Sequence, residues 1–367
     1  MNSRERFVGT LTGKEVDRVP FIPVFGDSQN VPILPSWEKA NPGLKAKIRE
    51  DLKYDSVYRG WQITPVNPYL SSLPPTVILE QTETKSVLKK GDGTVEVIVK
   101  GEDYGQCTIE WPVKTAKDWE RVRNLHLRAD DPERFPENWQ DYVKEYRGRE
   151  YPLQLTHKGV YGFARLMMGD ENLSYAFYDE PALVHSIMDG YTDMIIKVWS
   201  KMVVDVQFDL IECWEDMAYK NGSMISPETF REFMKPNYEK LRAFANANSI
   251  KIILVDCDGK IDDLVELMVE SGVNAMYPFE VQAGNNLERV LDKYPSLGAI
   301  GGLNKNALAK GKKEIDIELE KARRLIAKGR FIPGLDHGVL SDVSYENYKY
   351  FNEELRKIVL STKPGRA

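Results

Sequence analysis

The sequence predicts a single (β/α)8 barrel of class α/β, carrying a β-hairpin insertion in its N-terminal half. Short apolar, β-branched runs alternate with segments of helical period along most of the 367 residues. Alternation of this kind implies a parallel sheet, and eight such units close into a barrel. Residues 82–113 interrupt the alternation with turn-rich, strand-like sequence. We therefore expect residues 1–367 to form one domain.

Composition and charge exclude several classes of protein. The formal net charge of −6 gives no basic field, so nucleic acid is not an expected partner. Three widely spaced cysteines form no disulfide framework and fit a reducing compartment. The polar N-terminus lacks the apolar core of a signal peptide, and no apolar run approaches the roughly 18 residues of a membrane span. A cytoplasmic protein without a membrane partner is expected.

The N-terminal third supplies the first two strands. A helix over 3–11 precedes a strand over 17–25, whose prolines suit a barrel rim. A helix over 42–52 and a strand over 56–61 follow. The polar loop after the first strand contains Asp27 and Asn30, which are expected to contact a substrate. Most aromatic rings of this region are expected to pack in the core, but Trp61 is a candidate wall of an apolar pocket.

The predicted insertion is a hairpin with a third strand beside it. Apolar and polar residues alternate on both sides of Gly91-Asp92-Gly93, a pattern typical of a hairpin. Residues 104–111 are predicted as the third strand, and the insertion is expected to cover one end of the barrel. Helices over 116–125 and 136–146 lead the chain back.

Six further apolar runs each end in a polar residue. The runs are 151–156, 206–211, 250–255, 273–279, 297–303 and 331–335, and the residues that follow them include His157, Glu212, Asp256, Glu280, Asn304, Asp336 and His337. Helices are predicted between them, most clearly over 180–203, 227–246, 261–271 and 314–328, and a closing helix over 345–360. Because barrel enzymes carry their chemistry at the carboxyl ends of the strands, these side chains are candidates for an active site.

The densest candidate group is Asp256, Asp258, Glu280 and His337. One imidazole and several carboxylates at a barrel mouth fit zinc, and manganese or iron would also accept oxygen and nitrogen ligands. An acid at a strand end is about as often a helix cap or an ion-pair partner, and a lone histidine is more often structural. Four such residues on three strands of one face favour the metal.

The other polar residues carry weaker signals. His157 either orients a substrate or forms a hydrogen bond inside the barrel. Glu215 and Asp216 are candidates to cap the next helix. The pair Gly301-Gly302 before Asn304 lacks the G-x-G-x-x-G dinucleotide pattern, and instead permits a close approach of backbone to a ligand.

In its motifs the chain resembles the uroporphyrinogen decarboxylase superfamily, and within it the cobamide-dependent methyltransferases. The motifs, in order, are Ser3-Arg4-Glu5-Arg6, Asp17-Arg18-Val19-Pro20, Gly162-Phe163-Ala164-Arg165, Ile225-Ser226-Pro227-Glu228, Asp256-Cys257-Asp258-Gly259, Pro278-Phe279-Glu280 and Asp336-His337-Gly338. Each is weak alone, but their order and spacing extend over nearly the whole chain. The fold of that family is the same (β/α)8 barrel.

The resemblance implies a zinc site with altered ligands. The family's His-x-Cys pair falls on Asp256 and Asp258, its intervening Glu on Glu280, and its late Cys on His337. Oxygen and nitrogen ligands leave zinc a harder Lewis acid than thiolates do, which suits an ether oxygen better than a thiol. Whether Cys257 contributes a thiolate in place of an Asp stays open.

The implied activity is transfer of a methyl group from a small methoxylated compound, such as an aromatic ether, to the cobalt of a corrinoid. No D-x-H-x-x-G cobalamin motif occurs here, so a separate corrinoid protein must supply the acceptor. His157, Glu215 and Tyr219 are the expected catalytic residues, with His157 or Tyr219 protonating the leaving oxygen. Asp27, Asn30, Trp61 and Asn304 are the expected substrate contacts.

Three alternatives remain open. One is a decarboxylase-like enzyme, which the absence of Arg or Lys in loop 26–30 disfavours. A methyltransferase acting on a thiol or a methylamine is the second, and a binding protein that retains only the barrel is the third. The sequence is compatible with a homodimer and does not determine the oligomeric state.

Overall fold

The structure, a computed structural model, describes residues 1–24, 34–55, 60–100 and 106–365. The predicted substrate contacts Asp27 and Asn30 lie outside the described residues, as does most of the predicted strand 56–61. Among the described helices, each is too short or too polar to cross a bilayer.

The strands form one parallel and two antiparallel sheets. In chain order they are β1 Gln62–Ile63, β2 Val77–Gln81, β3 Lys85–Lys89, β4 Val95–Val99, β5 Gln106–Glu110, β6 Leu153–His157, β7 Leu210–Trp214, β8 Ala218–Tyr219, β9 Gly222–Ser223, β10 Ile252–Asp256, β11 Ala275–Tyr277, β12 Gly298–Leu303 and β13 Phe331–Leu335. The parallel sheet has the order β1-β6-β7-β10-β11-β12-β13, while β2 to β5 and the pair β8-β9 are antiparallel.

The helices surround the parallel sheet. They are α1 Ser3–Thr12, α2 Pro35–Ala40, α3 Leu44–Leu52, α4 Ala116–His126, α5 Trp139–Arg147, α6 Val160–Met168, α7 Asp170–Asp179, α8 Pro181–Met202, α9 Pro227–Thr229, α10 Lys235–Ala247, α11 Asp262–Glu270, α12 Leu287–Lys293, α13 Ala307–Lys310, α14 Lys312–Lys328 and α15 Tyr345–Ser361. A π-helical turn over 230–234 joins α9 to α10, and the predicted N-cap Ser226 accepts the amide of Thr229. The (β/α)8 fold predicted from the sequence is confirmed.

The eighth place of the barrel is filled by irregular chain. The predicted strand 17–25 is wrong over its described part, because residues 17–24 form no strand. Pro20 and Pro23 have no amide hydrogen to give to a ladder. The segment nevertheless closes the sheet by packing, since Val24 lies against Gly334 of β13 and Ile22 lies against Gly60 just before β1.

Two separate apolar layers stabilise this arrangement. The larger one lies between the strands and the surrounding helices. The smaller one fills the barrel and includes Ile22, Val24, Trp61, Leu210, Ile252, Leu254, Tyr277, Ile300 and Ile332. Phe7 and Leu11 of α1 join this inner layer and seal the amino-terminal end of the barrel. The carboxyl ends of the strands are therefore the open end.

The insertion is a four-stranded sheet, one strand larger than predicted. The additional strand, β2, pairs with β3, and all five of its residues are exposed. Its run Val77-Ile78-Leu79 was missed because it follows Pro74-Pro75 and shows no alternation of apolar and polar residues. The insertion rests on the barrel through Trp111, whose indole lies against Gly169 at the end of α6.

Candidate metal centre

Three of the predicted ligands converge at the open end of the barrel. Asp258 follows β10, Glu280 follows β11 and His337 follows β13. One potential ligand atom from each lies within 4.8 Å of the other two, and we call these residues the metal triad. The strands bring them together because the carboxyl ends of parallel strands lie side by side.

The spacing within the metal triad suits a small tetrahedral cation. Nε2 of His337 lies 3.4 Å from Oδ2 of Asp258. Bonds of about 2.1 Å at tetrahedral angles place neighbouring donor atoms about 3.4 Å apart. The donors are one imidazole nitrogen and two carboxylate oxygens, a set that zinc accepts. The residues present therefore fit zinc.

Charged neighbours shape the electrostatics of the metal triad. Asp258 raises the pKa of His337 by accepting its hydrogen bond, against the opposing effect of burial. Glu280 accepts the amide of Gly259 at 2.9 Å, which fixes the direction of its carboxylate. The ammonium of Lys305 lies 3.8 Å from Glu280 and supplies positive charge beside the two acids.

Asn285, which sequence reasoning missed, connects the loops that carry Asp258 and Glu280. Its amide nitrogen donates to the carbonyl oxygens of Gly259 and Glu280 at 2.8 and 2.9 Å. Its amide oxygen accepts the backbone N–H of Ile261 at 3.0 Å. The side chain is almost fully buried. One amide thus holds two of the three loops in a fixed relation.

Asp336 connects the loop after β13 with the loops after β11 and β12. Its buried carboxylate accepts the backbone N–H groups of Val281 and Lys305, both at 2.8 Å. Burial raises the pKa of Asp336, and these two hydrogen bonds oppose the rise. Asp336, directly before His337, therefore connects loops and is not a metal ligand.

Asp256, the first-choice ligand from sequence, belongs to a neighbouring group. Its carboxylate converges with those of Asp216 and Asp258. Burial and the nearby Asp258 raise the pKa of Asp216, while Arg165 pairs with it at 3.4 Å and lies over the ring of Trp214. Asp258 is the member common to both groups.

The side chain of Cys257 faces away from the metal triad. It is fully buried in the layer between strands and helices. Burial raises the pKa of its thiol well above the usual value. Neither property suits a thiolate ligand, which has to be deprotonated.

His157 does not lie in the mouth, so the position expected for it is wrong. Its ring is fully buried and packs against Tyr191 and Trp199 of α8, with centroids 4.8 and 5.9 Å away. Neither ring nitrogen has a hydrogen-bond partner among the described residues. It shares the outward face of β6 with Leu153 and Leu155, and burial alone lowers its pKa to about 3.

Glu215 caps a helix, but the helix is the preceding one and not the next. Its fully buried carboxylate accepts the amides of Val160, Tyr161 and Gly162 at the start of α6. The hydroxyl of Tyr238 also donates to it. Burial raises the pKa of Glu215 to about 7, although each of these four hydrogen bonds lowers it.

The remaining predicted residues occupy different environments. Tyr219 lies on the hairpin β8-β9 and is 62% exposed. Trp61 is fully buried in the inner layer, edge-on to Tyr277, so it is a core residue and not a pocket wall. Asn304 follows β12, and its side-chain oxygen accepts the amide of Asn306 and the side-chain amide of Gln282.

A large cavity separates the insertion sheet from the barrel. It has a volume of about 750 Å³, and we call it the insertion cleft. Its lining includes Tyr69, Lys90, Asp92, Glu96, Trp111, Lys158, Arg165 and Asp170. Lys158 directly follows β6 and was not singled out from the sequence.

Comparison with known proteins gives the family. The profile described as uroporphyrinogen decarboxylase (URO-D) matches residues 96–358, which is more than half of the chain. The chain belongs to the uroporphyrinogen decarboxylase family. This confirms the superfamily expected from the motifs, while a search of curated protein sequences finds no match.

A solved structure shares the fold of this uroporphyrinogen decarboxylase family member over nearly its full length. A methyltransferase from Methanosarcina mazei is 16% identical, covers 97% of this chain and 99% of its own, and has a TM-score of 0.62. Two others are far less similar. A Listeria monocytogenes protein titled as a vitamin-B12 independent methionine synthase is 11% identical over 59% of this chain and 68% of its own, with a TM-score of 0.33. A type I 3-dehydroquinate dehydratase from Clostridium difficile is 12% identical over 68% and 77%, with a TM-score of 0.24.

The buried imidazole of His157 predicts loss of stability in acid. The pKa of His157 is lower in the folded protein than in the unfolded chain, so between pH 6.5 and about 3 the unfolded state binds the extra proton. Stability conferred above pH 6.5 is therefore lost as the pH falls, by ~2 kcal/mol at pH 5. His157→Phe should flatten the pH dependence of the unfolding free energy between pH 7 and 5. Parallel curves for the two proteins would contradict this.

Asn285→Ala should loosen the metal triad. Removal of the amide frees the two loops, so we expect metal affinity to fall about 10–100-fold, as is usual when groups that orient ligands are lost. The neighbouring Asn286 is a matched control, because it caps α12 by accepting the amide of Arg289 from an exposed position. Asn286→Ala should cost about 1 kcal/mol of stability and leave the affinity unchanged. Equal affinities for both variants, measured by competition with a chelator, would refute the role of Asn285.

Proposed function

We propose that this protein is a zinc-dependent methyltransferase that moves a methyl group from a small methoxylated compound to the cobalt of a corrinoid carried by a separate protein. The observation that supports it most is the metal triad, an oxygen and nitrogen donor set at the open end of a uroporphyrinogen decarboxylase-family barrel. The Methanosarcina mazei relative in fold is titled a methyltransferase, which agrees with the proposal.

Asp258, Glu280 and His337 would hold the zinc. When bound there, zinc would act as a Lewis acid toward an ether oxygen and favour departure of the alkoxide or phenolate. The two carboxylates and the absence of sulfur from the triad keep the site hard, which matches an oxygen donor better than a thiol.

The protein's own residues orient the site before substrate arrives. Asn285 and Asp336 fix the loops, and Gly259 directs one oxygen of Glu280 by hydrogen bonding. A preorganised polar site spends no energy on rearrangement during the reaction. Lys305, half-buried beside Glu280, balances the negative charge that Asp258 and Glu280 bring to the mouth.

The proton donor to the leaving oxygen has to reach the mouth. Tyr219 is exposed on the hairpin next to the Asp258 loop, since its carbonyl oxygen accepts the amide of Lys260. Tyr219 is therefore the proposed proton donor. His157 is not, because its ring lies in the outer layer. Asp27, Asn30 and Asn304 remain proposed substrate contacts, and Glu215 acts indirectly by holding the start of α6.

The first test concerns the metal. Asp258→Ala, Glu280→Ala and His337→Ala should each lose zinc, because each removes one donor from a three-residue set. Cys257→Ala is the control and should retain it, since that thiol lies in the apolar layer. Metal content of the purified proteins is the measurement. Full zinc occupancy in all three triad variants would contradict the proposed zinc site.

The second test concerns the reaction. The protein should form methylcobalamin from cob(I)alamin and members of a panel of methoxyarenes, and His337→Ala should be slower by about 10²–10³-fold. Glu353→Ala, which removes an exposed acid paired with Lys349 on α15, should leave the rate unchanged. Turnover with only a methylamine or a thiol would refute the ether substrate. Release of CO2 from a carboxylated substrate without cobalt would favour the decarboxylase alternative.

A further inference from the structure

The insertion cleft has the size and lining of a small-molecule site. Its volume of about 750 Å³ falls within the range of about 300–1,000 Å³ that ligand pockets occupy. Rings of Tyr69 and Trp111 give it apolar walls, and both the insertion sheet and the barrel contribute charged groups. A molecule in the cleft would touch both parts of the protein.

Most of the charges in the cleft already have partners. Lys90 pairs with Glu96, which also accepts the side-chain amide of Gln106. Arg165 pairs with Asp216 and lies 3.9 Å from Asp170. The hydroxyl of Tyr69 donates to Asp92 at 3.2 Å. These groups are held within the protein and do not call for a ligand.

Lys158 differs from these paired groups of the cleft. It is half-buried, and its ammonium makes no hydrogen bond or ion pair with any residue that the structure describes. The carboxylate of Glu212 on β7 acts on this ammonium, and burial lowers the pKa of Lys158 despite that carboxylate. A partly desolvated cation without a close partner is costly, and an anion bound in the cleft would offset the cost.

The position of Lys158 around the barrel relates its charge to the metal triad. Counted from the irregular segment 21–24, β6 takes the third place of eight and β12 the seventh, directly opposite. The strands on either side of β12 are β11 and β13, which carry Glu280 and His337. Lys158 therefore follows a strand three places away from those of Glu280 and His337, and two places away from β10, which carries Asp258.

We propose that the insertion cleft binds the methyl donor and that Lys158 pairs with a carboxylate on the end of the donor remote from the methoxy group. This inference rests on the proposed function, because it takes the methoxy oxygen to lie at the metal triad. The donor would then be a methoxylated acid whose ring lies between the aromatic walls. Specificity for an anionic donor would come from one lysine supplied by the barrel, and the insertion sheet would form the other wall of the cleft.

Two donors, one with a carboxylate and one without, test the proposal: 4-methoxybenzoate and methoxybenzene. Lys158→Met keeps most of the length of the side chain and removes its charge. We expect binding of 4-methoxybenzoate by the zinc-loaded protein, followed calorimetrically, to weaken about 10–100-fold, the usual scale for a lost charge-assisted pair. Binding of methoxybenzene should not change, and Lys158→Arg should restore most of the affinity for the acid.

Lys349→Met is the matched control away from the cleft. Lys349 lies on α15 with a partly exposed side chain and pairs with Glu353, so its loss should leave the affinity for 4-methoxybenzoate within about twofold. Equal affinity of wild type and Lys158→Met for the acid would overturn the inference, whatever the protein does with cobalamin. Loss of binding in Lys158→Met together with no methyl transfer by the wild type would support the anion site and refute the proposed reaction instead.

Discussion

The side-chain amide of Asn285 is the interaction on which the geometry of the mouth depends most. Barrel strands bring their carboxyl ends together, but the ligands stand on the loops beyond those ends, and loops need ties of their own. Asn285 satisfies three backbone groups from the loops of Asp258 and Glu280, and it does so from a buried position where an unmade hydrogen bond is costly. Asp336 extends the same arrangement to the loops after β11 and β12.

The charge balance of the mouth follows from this framework. Asp216, Asp256, Asp258 and Glu280 gather within a small region, and such a concentration of negative charge is unfavourable without cations. Arg165 and Lys305 supply two of them at the edges. A divalent cation at the metal triad would add further positive charge, which links the stability of the mouth to its proposed chemistry.

The sequence predicted the barrel well because long runs of alternating strand and helix patterns have few other solutions. The strand β10 with its acidic end, the N-cap at Ser226 and the closing helix were all readable from local residue patterns. The predicted first strand, 17–25, failed because prolines at 20 and 23 remove ladder donors while apolar packing against Gly334 still closes the barrel. Local patterns cannot distinguish closure by packing from closure by hydrogen bonds.

The site was only partly readable for a related reason. Strands of a parallel barrel are apolar on both faces, so alternation does not reveal which face a terminal polar residue takes. The sequence shows His157 at a strand end but not that it shares the outward face with Leu153 and Leu155. Asn285 and Lys158 carry no local signal at all, because the role of each depends on loops or strands distant in sequence.

In the proposed site, an oxygen and nitrogen triad without sulfur holds zinc at this mouth. X-ray absorption spectroscopy at the zinc edge of the purified protein tests it most directly. Zinc coordinated only by oxygen and nitrogen at about 2.0–2.2 Å, with the scattering pattern of one imidazole, is the predicted result. A sulfur neighbour at about 2.3 Å, or a spectrum with no imidazole, would contradict it.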